Sequence, residues 1–282
     1  MPPELTDERK KYVSVGCGKC IECLNKKRRD WIIRLTEENK NSNTYFCTLT
    51  FSDDSLERLI EYNGGDIDNN EIATTAVRLF LERYRKKYKK SLKHWFITEI
   101  GKKEKRIHLH GFIWTDIEEK ELDNFWKYGF TQFKKANSEK SIKYCLKYVT
   151  KNKMDHTPKI LCSNGIGKSY INSPAGIINK YNGKNTREYY ILKGKKKQLP
   201  IYYRDLLYTD EEKDKLWGFK LDKKIRWIDG EKIDISTTEG MKKFYDRLKQ
   251  AQDKYEKLGF KIDKEWDKKI YRKINNIVNN CK

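Results

Sequence analysis

Two histidines stand two residues apart at His108-Leu109-His110, inside an apolar, β-prone run, in a chain with four histidines among 282 residues. Side chains alternate along a strand, so residues i and i+2 leave the same face. Ile107, Leu109, Gly111 and Ile113 then turn to a core while His108 and His110 project together from the other side. Chance supplies roughly 0.06 such pairs in a chain of this composition. The pair offers two nitrogen ligands to one divalent cation, or reads as two half-exposed histidines on a solvated sheet face. Glu99 ends the preceding apolar run, and the polar stretch Gly101-Lys-Lys-Glu-Lys-Arg106 folds it back beside them. A carboxylate with two imidazoles leaves coordination positions open for water or a phosphate oxygen. That donor set suits Mg2+ or Mn2+ acting on a phosphodiester, and Zn2+ accepts it as well.

Tyr144 and Tyr148 lie four apart on an expected helix and so share one face. With 18 tyrosines in the chain, about one such spacing arises by chance; Tyr84 and Tyr88 supply another, read as packing. A tyrosine presented to a metal-held phosphate attacks phosphorus and forms a covalent phosphotyrosine. A free phenol has a pKa of about 10, so the nucleophile needs positive charge nearby, which Lys143 and Lys147 supply.

The elements that must position these residues follow from local pattern. A basic helix over 21–38 carries Lys26-Lys-Arg-Arg29, and β-branched and aromatic residues mark a strand over 44–51. Asn63-Gly-Gly-Asp66 breaks the chain before a helix over 72–88. Runs 92–100 and 107–114 form a hairpin; a short helix over 116–127, a strand over 129–133 and a helix from 138 to about 151 follow. Hairpin strands with segregated helices predict an α+β domain, helices packed on an antiparallel sheet. The expected organisation is an arm and cysteine-bearing helix over 1–43, a core over 44–155, and a basic, mostly helical C-terminal region over 156–282. The last forty residues carry helical spacing through Met241, Phe244, Leu248, Ala251, Tyr255 and Leu258.

Charge names the class of partner. The net charge is +21, a balance that favours polyanions, nucleic acid or an anionic membrane surface, or reads as a solubilising surface. Residues 1–150 carry +7 and residues 151–282 carry +14, and over 151–200 eleven basic residues face only Asp155 and Glu188. Lys143, Lys151, Lys168, Lys193, Lys195, Lys196 and Lys197 are the candidate DNA-binding side chains, with interleaved aromatics to stack on unpaired bases. The first residues lack the apolar stretch of a secretory signal, and no run reaches the ~18 apolar residues of a membrane span, so a soluble protein in the cell interior, with no membrane partner, is expected. Cys17, Cys20 and Cys23 form a C-x-x-C-x-x-C cluster that reads either as a structural zinc site or as packing thiols. Zinc would draw a fourth ligand from Cys47, Cys162 or His156. Gly167-Lys168-Ser169 lacks the first glycine of a P-loop, since Cys162 stands there, so ATP is not expected; Gly165 and Gly167 serve either a turn or a close approach of backbone to DNA.

Taken together, strand Thr48-Leu-Thr-Phe51, His108-Leu-His110 preceded by Glu99, and the tyrosine helix resemble the HUH endonucleases that initiate rolling-circle replication. The closer resemblance is to replication initiators of microviruses, small single-stranded-DNA bacteriophages. Lys143-Tyr-Cys-Leu-Lys-Tyr-Val-Thr-Lys151 looks like that family's K-Y-x-x-K-Y-V-x-K helix. Cys17-Gly-Lys-Cys-Ile-Glu-Cys23 with Trp31 resembles the C-G-K-C-x-x-C of one subgroup, and Asn164-Gly-Ile-Gly167 is similar to its P-G-I-G segment, with Asn where Pro is usual. The resemblance covers about residues 13–170. It implies an HUH endonuclease fold, Glu99, His108 and His110 as ligands of Mg2+ or Mn2+, and Tyr144, Tyr148 and Lys147 as catalytic residues. It further implies that one tyrosine nicks single-stranded origin DNA, keeping the 5′ phosphate and freeing a 3′ hydroxyl. The second tyrosine then cleaves the regenerated site so that the released end rejoins into a circle. Host helicase and polymerase are the implied partners, and the cytoplasm of a bacterial host the implied location. The rival readings are a non-catalytic basic nucleic-acid-binding protein, and a plasmid initiator or transposase of the same chemistry.

Overall fold

The computed structural model describes residues 18, 21–40, 43–101, 106–136, 139–150, 157–228 and 231–257. They belong to two compact units, one of Asn25–Glu212 and one of Met1–Leu24 with Lys213–Lys282.

The larger unit is α+β, built on a five-stranded antiparallel sheet in the order β4-β1-β3-β2-β5. Its strands are β1 (Thr44–Leu49), β2 (Lys93–Ile100), β3 (Ile107–Trp114), β4 (Thr131–Lys135) and β5 (Ile160–Cys162). The central strand β3 pairs with both β1 and β2, which sets Thr48 opposite His110 and Glu99 opposite His108. Both faces of the sheet are covered. On one lie α2 (Asp53–Tyr62) and α3 (Asn69–Tyr88), whose Leu59, Ile72, Ala76, Phe80 and Tyr84 pack on Leu49, Phe96, Leu109 and Ile113. On the other, α1 (Ile21–Glu38) and α5 (Glu139–Leu146) contribute Trp31, Leu35, Ile142 and Leu146 to a second core around Trp95, Ile97 and Phe112. Each such apolar side chain gains about 1.5–3 kcal/mol on full burial, and burial on both faces explains why β2 and β3 read as nearly continuous apolar runs. The histidine face is therefore not the solvated surface that strand alternation alone allows.

Gly111 marks the tightest point of this sheet. A Cβ there would lie 2.1 Å from the Trp95 carbonyl oxygen and 2.6 Å from the Phe96 ring. We expect Gly111→Ala to destabilise the protein by about 2–3 kcal/mol through overpacking. The check is a lower urea midpoint with an unchanged slope.

The expected helix over 116–127 is shorter in the structure, α4 (Glu119–Asp123). Phe125 and Trp126 are consecutive and both buried, and the Trp126 indole N–H donates to the Thr50 carbonyl at 2.8 Å, so the chain leaves the helical path to seat both rings. No element is expected from sequence over 53–62, where α2 forms; its signal is Ser52, whose hydroxyl caps the Ser55 N–H. The strand expected over 129–133 is shifted to 131–135, because Gly129 passes against Thr50, where a Cβ would sit 2.7 Å from the carbonyl oxygen.

The described residues of the C-terminal region combine helices with two strand hairpins. After α6 (Pro174–Ile177), strands β6 (Tyr189–Leu192) and β7 (Lys195–Gln198) form a hairpin before α7 (Ile201–Leu207) and α8 (Asp210–Asp222). Lys193 and Gly194 at its tip have φ of 50° and 72°, the pair of left-handed residues that a two-residue hairpin turn requires. In the smaller unit, β8 (Ile225–Ile228) and β9 (Glu231–Asp234) form another hairpin, followed by α9 (Thr238–Lys257). Lys243 and Arg247 of α9 both bridge to Glu231.

Candidate active site

Strand pairing and helix packing converge on His110. Its Nε2 lies 3.1 Å from Glu99 Oε2 and its Nδ1 3.1 Å from Thr48 Oγ1, so neighbouring strands hold both edges of the ring. The histidine is buried, and these bonds meet the need of a buried imidazole for partners at both nitrogens. His108 shares the face but is turned toward the hairpin end, where a Cβ on Gly101 would sit 3.0 Å from its Cε1. Among the described residues, no three His, Cys, Asp or Glu side chains converge as a metal cluster. The Glu99–His110 pair nonetheless fits a divalent cation in its donor chemistry, a carboxylate oxygen facing an imidazole nitrogen. The Thr48 hydroxyl can donate to Nδ1 or accept from it, so it can serve His110 with or without a cation at Nε2.

The tyrosines lie on the same ring. Tyr148 stacks on His110 with centroids 4.9 Å apart and planes 8° from parallel, and Tyr144 stands edge-on to it at 6.1 Å. The helix expected to run to about 151 ends at Leu146, and Tyr148 begins a 3-10 turn over Tyr148–Thr150. Burying Tyr148 and Val149 together with Leu146 forces this tightening, because the three cannot share one face of an α-helix. The two tyrosines consequently differ. Tyr144 is 45% exposed and Tyr148 only 3%. The Tyr148 hydroxyl donates to the Tyr144 oxygen at 3.0 Å. Burial, that hydrogen bond and the charge of Glu99 push the Tyr148 phenol above its ordinary pKa. Lys147 places its ammonium 3.6 Å from the Tyr144 ring centroid and 4.8 Å from that of Tyr148. Tyr84 and Tyr88 pack on the opposite face of the sheet; Tyr84 is buried there and shares a hydrogen bond with Thr115.

Two residues near the centre carry no role in the sequence reading. Thr48 is visible from sequence only as part of a strand, and its contact with His110 depends on register. Phe46, two residues earlier on the same face, stands edge-on to Tyr144 at 5.8 Å.

The candidate DNA-binding lysines separate. Lys143, Lys193, Lys195 and Lys197 meet at one pocket, whereas Lys196, on the other face of β7, lies 4.7 Å from the Tyr189 ring centroid. Lys168 is exposed at the start of a 3-10 turn and is not part of that lining. Gly167 is held by packing: its N–H donates to Glu38 at 2.7 Å, and a Cβ would lie 2.7 Å from the Arg34 carbonyl oxygen. Of the candidate zinc ligands, Cys17, Cys20 and His156 lie outside the described residues, as does Lys151. Cys23 is a free thiol, Cys162 is half-buried, and Cys47 is buried in the core, where desolvation pushes its thiol pKa up and disfavours the thiolate a metal needs.

Residues 44–153 match the family model "Replication-associated protein ORF2/G2P". "Replication-associated protein ORF4" of Chlamydia phage 1 is 23% identical over 160 residues, covering 48% of this chain and 37% of that protein. The chain thus spans little more than a third of the length of that curated relative. No solved structure matches. No helix among the described residues is long and apolar enough to cross a membrane. On both comparisons, the chain resembles a phage rolling-circle replication initiator.

Proposed function

We propose that this protein nicks and rejoins single-stranded origin DNA through a 5′-phosphotyrosine, with Tyr144 as the first nucleophile. The observation that carries the reading is the stacking of Tyr144 and Tyr148 on the His110 ring, itself bonded to Glu99 and Thr48. Attack by the Tyr144 oxygen forms a new O–P bond and breaks the bond from phosphorus to the 3′ oxygen of the preceding nucleotide. The tyrosine proton passes to water, which reaches this exposed side chain, and the departing 3′ oxygen takes up a proton. The hydrogen bond donated by Tyr148 and the Lys147 ammonium stabilise negative charge on the Tyr144 oxygen. Glu99 and His110, with His108 on the same face, would hold Mg2+ or Mn2+, which when bound withdraws charge from a phosphate oxygen. Rejoining is the reverse exchange, with a free 3′ hydroxyl displacing the tyrosine, so bond energy is conserved and no ATP is consumed. Host helicase and polymerase would act on the freed 3′ end in the bacterial cytoplasm.

The test is a single-stranded origin oligonucleotide labelled at its 3′ end. A covalent protein–DNA adduct is expected, mapped by mass spectrometry to Tyr144. Tight binding with no adduct in the presence of Mg2+ or Mn2+ would favour a non-catalytic DNA-binding role.

A further inference from the structure

A pocket of about 310 Å³ lies inside the larger unit, within the ~300–1,000 Å³ range of sites that hold small organic groups. Its floor is apolar, made by Ile32 and Ile33 of α1 and Leu192 of β6. Its rim is basic, made by Arg29 of α1, Lys143 of α5, and Lys193, Lys195 and Lys197 of the β6–β7 hairpin. Hairpin geometry brings both kinds of side chain to the pocket. Leu192 pairs with Lys195 and Tyr190 with Lys197, so these four share one face, while Ile191 and Lys196 take the other. Three segments distant in sequence thus line one cavity with both apolar and basic side chains.

We propose that this pocket holds one unpaired nucleotide of the bound strand, its base against Ile32, Ile33 and Leu192 and its flanking phosphates on the basic rim. Duplex DNA presents phosphates outward and keeps its bases stacked inside, so an apolar floor beneath a cationic rim matches single-stranded DNA better than a duplex. Lys143 is the residue before Tyr144 on α5, so the rim begins one residue from the nucleophile. The pocket therefore secures a base close to the scissile phosphate and helps select the site of cleavage. This placement rests on the reading of Tyr144 as the nucleophile.

The experiment is a crosslinking scan of the full chain carrying Tyr144→Phe, so that binding is read without cleavage. Single-stranded oligonucleotides bear one 5-iodouracil, moved position by position. Crosslinks are expected to peak at one position, on the peptides that contain Leu192 or Ile32. An abasic substitution at that position should weaken binding about tenfold, and Leu192→Ser should erase that sensitivity. Removing Lys193, Lys195 and Lys197 together should flatten the dependence of log affinity on log salt by about 2. Crosslinks spread evenly, or an abasic penalty unchanged in Leu192→Ser, would overturn the base-binding pocket. Nicking by the unaltered chain without a hairpin crosslink overturns the pocket alone. A hairpin crosslink in a chain that never forms an adduct on origin DNA supports the pocket and overturns the nicking reading.

Discussion

His110→Ala is expected to lower origin nicking by more than about 100-fold while single-stranded DNA binding survives. The ring joins Glu99, Thr48 and both tyrosines, and loss of several kcal/mol of charge stabilisation at phosphorus corresponds to two or more powers of ten in rate. Binding survives because phosphate contacts by basic side chains carry most of the affinity. Glu99→Ala should behave alike, and chelation of divalent cations should reproduce the loss in the unaltered protein. His108→Ala tests whether the second histidine joins the pair when a cation is bound. Thr48→Val removes only the hydroxyl that orients the ring; a loss of about 10–100-fold is expected, with a shift to higher metal requirement and recovery in Thr48→Ser. Full nicking by the His110→Ala, His108→Ala double variant, or in excess chelator, would remove the metal from the mechanism.

The tyrosine pair provides the second large effect. From spacing alone the two hydroxyls are equivalent, a helical turn apart, and each single variant should still cleave. The structure breaks that equivalence: Tyr144 is exposed and accepts a hydrogen bond, while Tyr148 is buried and donates it. Tyr144→Phe should therefore abolish the first covalent adduct, a fall of more than about 1,000-fold, since no other group replaces a lost nucleophile. Tyr148→Phe should leave the first cleavage detectable, reduced about tenfold through the lost hydrogen bond to the Tyr144 oxygen, and should fail to release closed circles after a round of synthesis. Adduct mapping on both variants, with circle release scored by gel, separates the cases. Efficient adduct formation by Tyr144→Phe, with none by Tyr148→Phe, would reverse the assignment. Tyr84→Phe and Tyr88→Phe should change neither readout, because that pair packs on the opposite face of the sheet.

Much of the scaffold was legible from local pattern. The helix over 21–38, the strand from Thr44 and the hairpin over 93–114 follow from periodicity and turn composition. Those signals depend on neighbours a few residues apart, and they suffice to predict an α+β domain with an antiparallel sheet. His108, His110 and Glu99 were visible because strand alternation and one hairpin turn put them on one face within a span of twelve residues. The tertiary structure decided what those signals do not encode. Register across β1 and β3 made Thr48 the partner of His110. Packing of α1 and α5 turned the histidine face from a solvated surface into a buried one. Tyr148 left the α-helix because burying it with Leu146 and Val149 outweighs one more turn of regular hydrogen bonding, and that made the two tyrosines unequal. The pocket of Arg29, Lys143 and the hairpin lysines joins three segments that are far apart in the chain. Its existence depends on the summed burial of two cores, a quantity that no short stretch of sequence carries.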